Sequence, residues 1–170
     1  MSQATTQLLP PAELDDAGVW RPHVTVATVV PRAGRFLLVE EDIRGDIVLN
    51  QPAGHLEPGE TLHAAAVRET REETGWDVAL SCLLGVQQWN SPSGREFVRF
   101  TFAAEPIHYD AARTLDDGIV RALWMTHDEI AASGSRLRSP MILTSIGDWL
   151  IGRRLPLDVI RWLPTFAATN

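Results

Sequence analysis

The chain has 170 residues, a hydrophobic fraction of 45% and a formal net charge of -7. That size and apolar content fit one globular domain with a buried core, and the negative balance argues against nucleic-acid backbone or anionic membrane as a partner. All 15 cationic side chains are arginine, which excludes Schiff-base and P-loop lysine chemistry. Cys82 is the single cysteine, so no internal disulfide and no thiolate zinc cluster can form. No apolar run nears the roughly 20 residues that span a bilayer, and the N-terminus lacks a signal-peptide pattern. The expected address is the cytoplasm, as a monomer or homodimer.

In chain order, residues 1–20 form a polar, proline-containing arm without periodicity. His23 to Val30 alternates and is valine-rich, predicting a strand, with Arg35 to Glu40 as its hairpin return. A short apolar segment at Ile47 to Leu49 precedes a Pro- and Gly-dense loop from Asn50 to Glu60. Thr61 to Thr74 is a helix pattern with Leu62, Ala66 and Thr70 on its packed side, and Gly75 is placed to end it. Val78 to Trp89 and Glu96 to Ala104 read as long strands around a turn at Ser91 to Gly94, followed by a shorter strand at Val120 to Met125. Thr126 and Glu129 are spaced as a capping box for a short helix that Gly134 stops. Ser139 as N-cap and Pro140 at the first helical position open a last helix, with Ile142, Ile146, Trp149 and Leu150 as its apolar face. The order predicts an α/β domain over 21–164, a mixed sheet with helices against its faces, and a tail at 165–170.

The informative stretch runs from Gly54 to Trp76, GHLEPGETLHAAAVRETREETGW. Glu69, Glu72 and Glu73 fall within an arc of about 100° on a helix of 3.6 residues per turn. Carboxylates crowded on one helix face repel one another, and a hard cation such as Mg²⁺ or Mn²⁺ relieves that repulsion with oxygen ligands. Arg68 sits where it can pair with a carboxylate and hold its rotamer. Gly54 and the Pro58-Gly59 pair shape a loop whose backbone can pass close to a metal or phosphate.

This stretch resembles the Nudix box, with Gly54, Glu60, Arg68, Glu69, Glu72, Glu73, Gly75 and Trp76 on its fixed positions. Thr70 departs from the usual large aliphatic residue. Further likeness to the NudJ-type phosphatases comes from PHVTVATVV, NQPAGHLE, Gln88-Trp89, FVRFTF, Leu123-Trp124 and LRSP, with Leu49 departing from a tryptophan common in that group. The resemblance implies an α/β/α sandwich and Mg²⁺-dependent cleavage of small diphosphates. The implied substrates are thiamine diphosphate, its hydroxymethylpyrimidine diphosphate precursor, and nucleoside di- and triphosphates, with release of phosphate. It also implies Glu69, Glu72 and Glu73, with Gly54, as metal-binding positions, and Glu72, Glu69 and Arg68 as the catalytic group.

Substrate contacts lie outside the box. Arg99 alternates with Val98, Phe100 and Phe102, which face the core, so its guanidinium shares an open face with Phe97 and Thr101 and is a candidate to bind a terminal phosphate. His23, Gln88 and Trp89 are candidates to meet a ring, and Arg138, beside a helix start, to hold an anion. His55 reads as a loop residue and His63 as an exposed helix residue; Asp116 and Asp117 read as turn residues, with a role in closing the site as the alternative. Pro92, sixteen positions after Trp76 (92 − 76), resembles a spacing in ADP-ribose pyrophosphatases and supplies a second reading. Cleavage of oxidised nucleotides is another, and a Nudix-fold module that binds without hydrolysis is a third.

Overall fold

The computed structural model describes residues 18–163, so most of the expected N-terminal arm and the whole tail at 165–170 lie outside the described residues. Trp20, at the arm's end, donates its indole N–H to Glu96.

Among the described residues, eight strands and three α-helices follow in the order β1 (His23–Val29), β2 (Pro31–Arg32), β3 (Arg35–Ile43), β4 (Asp46–Asn50), β5 (Ala53–His55), α1 (Leu62–Thr74), β6 (Trp76–Asn90), β7 (Glu96–Tyr109), β8 (Ile119–Thr126), α2 (His127–Ala132) and α3 (Met141–Leu150). One sheet has the order β5-β1-β7-β6, with β1 parallel to β7 and the other pairs antiparallel. The second sheet is β2-β3-β4, with β8 on the other side of β3. The first strand and its expected hairpin return therefore lie in different sheets. Only Pro31 and Arg32 pair back onto β3, because the chain crosses between sheets just after Val30, whose carbonyl accepts from Leu37 N. A second correction falls in the Asn50–Glu60 loop, which contains β5; short, Gly-bearing and at a sheet edge, β5 gives no alternation to read.

Cores lie on both faces of the first sheet. Val26, Leu83 and Phe102 pack with Ala65 and Ala66 of α1, while Val29, Cys82, Leu84 and Ala103 pack with Ile130 of α2 and Ile142 and Ile146 of α3. This is the expected α/β/α arrangement. Leu150 departs from the expected apolar face of α3, being half exposed. The capping box on α2 is formed as expected, with Thr126 Oγ1 accepting from Glu129 N and the Glu129 carboxylate accepting from Thr126 N. The start of α3 is shifted by one residue: Pro140 occupies the N-cap, and Ser139 makes no capping hydrogen bond. No described helix is long and apolar enough to cross a membrane.

Candidate active site

Helix α1 carries the site, and its ends are set by local chemistry. Thr61 Oγ1 accepts from Ala64 N at 3.1 Å, a cap worth about 1 kcal/mol. Gly75 ends the helix at φ +72°, a left-handed conformation that costs glycine little. The face bearing Ala66 and Thr70 is fully buried. The Thr70 departure is accommodated by polar pairing, since its Oγ1 donates to Ala66 O at 2.7 Å and lies 2.8 Å from Thr28 Oγ1. His63, expected on the exposed side, is half-buried instead. Its Nε2 lies 3.2 Å from Leu157 O and its ring 5.3 Å from that of Phe102, because the C-terminal segment folds over the helix start.

With α1 so oriented, Glu69, Glu72 and Asp116 bring carboxylate oxygens within 4.8 Å of one another. Asp116 joins from the loop before β8, whose backbone is tied down by Asp116 N donating to Glu72 O at 3.2 Å. The trio is an all-oxygen set of the kind hard divalent cations take. Burial raises the pKa of Glu69, and burial with the nearby Glu72 charge raises that of Asp116.

Gly54 on β5 abuts this cluster: a Cβ there would lie 2.1 Å from the Glu69 carboxylate. Glu73 is turned to the cleft side of the helix, where one oxygen accepts from Ala53 N at 2.9 Å. Its burial pushes its pKa well above the usual carboxylate range. Glu73 is not one of the converging trio; Asp116 takes the third place. The sequence pattern offers Asp116 as a turn residue, with closing the site as its alternative role, and nothing in its spacing ties it to α1 as a metal ligand.

Arg68 knits the cluster together. Its Nη1 donates to Glu69 at 2.9 Å and Glu72 at 3.0 Å, and its Nη2 to Glu60 at 2.7 Å and His55 O at 3.2 Å. The same guanidinium holds Glu60 below its ordinary pKa.

Beside this edge a cleft of about 840 Å³ opens between the two sheets. In-register neighbours place His55, Thr25, Arg99 and Gln87 in one row across the first sheet, and His23, Phe97 and Trp89 in the next row on the same face. Arg99 and Trp89 line the cleft, as do Arg138 and Pro92. Trp89 stacks on Phe97 at 5.6 Å, and Phe97 on His23 at 5.1 Å. His23 lies behind the lining, with Nδ1 3.0 Å from Nε2 of His55, which sits on β5 rather than in a loop and does line the cleft. Gln88 is a correction: it pairs with Val98, on the face opposite Arg99, and is exposed. The Gln88-Trp89 pair straddles the strand, so only one of the two can face the cleft. Arg138 pairs with Glu41 at 3.3 Å, and Asn50 donates to the same carboxylate at 2.7 Å.

Residues 19–143 match the NUDIX domain family. The chain belongs to the Nudix hydrolase family. Among the relatives of this Nudix hydrolase is the phosphatase NudJ of Escherichia coli K12, 43% identical over 142 residues that cover 84% of this chain and 92% of that protein. A NUDIX hydrolase from Nitrosomonas europaea is 45% identical, with a TM-score of 0.82 over 84% of this chain and 98% of that one. An ADP-ribose pyrophosphatase from Streptococcus suis superposes with a TM-score of 0.61 over 79% of this chain and 96% of that one; at 14% identity it shares the fold alone. The chain is thus a Nudix enzyme acting on phosphoanhydrides in small phosphorylated substrates, a family that generally uses a divalent metal.

Proposed function

We propose that this Nudix hydrolase is a Mg²⁺-dependent phosphatase of small diphosphates, with Mn²⁺ as a substitute, and that it works in the cytoplasm. Its substrate class would be thiamine diphosphate, hydroxymethylpyrimidine diphosphate and nucleoside di- and triphosphates, with phosphate as one product. The observation that carries this reading is the convergence of Glu69, Glu72 and Asp116 at one edge of a cleft floored by Arg99 and Trp89. The likeness to NudJ over most of both chains supports the phosphatase assignment.

Glu69, Glu72 and Asp116 would hold the metal, with Glu73 and the Gly54 backbone completing the donor wall. When bound, Mg²⁺ supplies charge neutralisation for the phosphates and acidifies the attacking water. The protein's own residues position and polarise. Glu72, the most exposed carboxylate of the box trio, is placed to take the water proton, while Arg68 fixes Glu69 and Glu72 through Nη1. Trp89 and Phe97, with His23 behind them, present a stacking surface for a ring, and Arg138 borders the cleft as a second cation.

The test is phosphate release across that panel and ADP-ribose, with and without Mg²⁺ or Mn²⁺, alongside Glu72→Gln. Metal-dependent release that falls by about 10²-fold or more in the variant is expected. Turnover of ADP-ribose to two monophosphates, with no phosphate released from any other member, would overturn the phosphatase reading.

A further inference from the structure

Two buried side chains that line the cleft carry a polar atom with no hydrogen-bond partner among the described residues: Nη1 of Arg99 and Oγ of Ser139. They come from different elements, Arg99 from β7 and Ser139 from the loop ahead of α3, and both line the same cleft. Arg99 forms no salt bridge among the described residues; its one side-chain hydrogen bond is a long one, Nε to Thr25 Oγ1 at 3.4 Å. The nearby charges of Glu41 and Glu73 act on it without contact. A buried guanidinium without a bound acceptor is costly, and a site built to bind an oxyanion is the setting in which such a cost is recovered. Ser139 adds a hydroxyl donor of the same kind.

Position decides which oxyanion. The hydrogen bond to Thr25 draws the guanidinium towards β1, one strand from β5, where Ala53 N donates to Glu73 at the cleft side of α1. Neighbouring strands are about 4.8 Å apart, and the aromatic row of Phe97 and Trp89 lies two residues, about 7 Å, along the strand. Arg99 therefore lies on the cleft wall between Glu73, the box carboxylate that lines the cleft, and the stacking surface. A diphosphate with its ring on Trp89 and Phe97 places the ring-proximal phosphate at Arg99 and the terminal phosphate at the cluster.

We propose that Arg99 and Ser139 clamp the phosphate that the substrate keeps, not the one it loses. This rests on the phosphatase reading above and replaces terminal-phosphate binding as the role of Arg99. In the reaction, water oxygen bonds to the terminal phosphorus and the bond from that phosphorus to the bridging oxygen breaks. The bridging oxygen keeps the electron pair and stays on the ring-proximal phosphate, while a water proton passes to a carboxylate of the cluster. Negative charge on the clamped phosphate grows as the bond breaks, so the clamp strengthens towards the transition state and affects kcat as well as KM.

The test uses the full chain with Mg²⁺ and three variants, Arg99→Met, Arg99→Lys and Ser139→Ala, each checked by thermal melting. Calorimetry would compare thiamine monophosphate, thiamine and inorganic phosphate as ligands, with AMP and adenosine replacing the first two if ADP is the faster substrate. Arg99→Met is expected to weaken monophosphate binding by roughly ten- to a hundredfold and Ser139→Ala by roughly three- to tenfold, with binding of the unphosphorylated compound unchanged. Arg99→Lys should recover part of the loss; if Arg99→Met does not fold, Arg99→Lys and Ser139→Ala carry the test. Hydrolysis in H₂¹⁸O should put the label in released phosphate. The proposal is overturned if folded variants bind the monophosphate like the parent, if they lose the unphosphorylated compound equally, or if the label enters the monophosphate. No turnover of any diphosphate by the parent chain would instead remove the phosphatase reading itself.

Discussion

Replacing Gly54 by alanine separates the fold from the chemistry. The added Cβ would stand 2.1 Å from the Cδ and Oε1 of Glu69 and 2.2 Å from Oε2, against the roughly 3.5 Å at which such atoms rest. The Glu69 carboxylate must therefore withdraw by more than an ångström. It is the far end of a flexible side chain, so it can swing away at small conformational cost, and Gly54 itself is not held at positive φ. Stability should fall by no more than about 1–2 kcal/mol. Activity should fall much further, because Glu69 leaves both its Arg68 contact and the oxygen trio, and a displacement of about 1 Å can cost on the order of 10²-fold. The assay pairs a thermal melt with metal-dependent phosphate release and a Mg²⁺ titration. The expected result is a melting temperature within a few degrees of the parent, kcat/KM down by about 10²-fold, and a higher metal requirement. Parental kcat/KM in a folded Gly54→Ala protein would refute the claim that Glu69 must stay against the Gly54 backbone.

Asp116→Asn, which keeps shape but removes a negative oxygen, should raise the metal concentration for half-activity by about tenfold; an unchanged titration would remove Asp116 from the ligand set. Thr70→Val strands the buried hydroxyl of Thr28 and should cost about 1–2 kcal/mol by denaturant unfolding, with Thr28→Val/Thr70→Val recovering much of it; additive losses would show that the pair is not coupled. Glu40, buried and bonded to Arg121 at 2.6 Å and Arg136 at 2.7 Å, has its pKa lowered mainly by the Arg121 hydrogen bond. A lowered folded-state pKa contributes stability that is present above the ordinary value of 4.5 and lost as pH falls through the folded value. Glu40→Gln should therefore destabilise the protein at neutral pH and flatten the acid limb of its melting-temperature profile below about pH 4.5; a parallel acid limb would sink the assignment.

What could be read from the sequence follows the range of the forces involved. Helix α1 was legible because its cap, apolar face and terminal glycine are all local, and Glu69, Glu72 and Arg68 are neighbours on one helical surface. The long strands β6 and β7 were legible through alternation, although both run further than their apolar cores because the pairing of Trp76 with Tyr109 extends the ladder. The division of β1 and β3 between two sheets was not legible, since alternation reports faces and not partners. The same limit hid Asp116, which reaches the site only because its loop is tied to the end of α1. Gln88 was misplaced because adjacent residues of a strand cannot share a face.

The electrostatics of the site resolve the tension between an acidic protein and an anionic substrate. Arg68 Nη1 bridges Glu69 and Glu72, while Nε and Nη2 remain bonded to Glu60. Two of the three converging carboxylates are thus compensated by a cation anchored independently of them, and the helix face tolerates the crowding before any other charge arrives. A divalent cation that takes those oxygens competes only with Nη1, because Glu60 retains the rest of the guanidinium. Across the cleft Arg138 is paired with Glu41, whereas Arg99 makes no ion pair among the described residues and feels Glu41 and Glu73 only at a distance. The net charge of -7 keeps the surface unattractive to polyanions, and the guanidinium of Arg99 lies buried in the cleft wall. A small anion that sheds its water on entering the cleft is the kind of ligand that guanidinium suits.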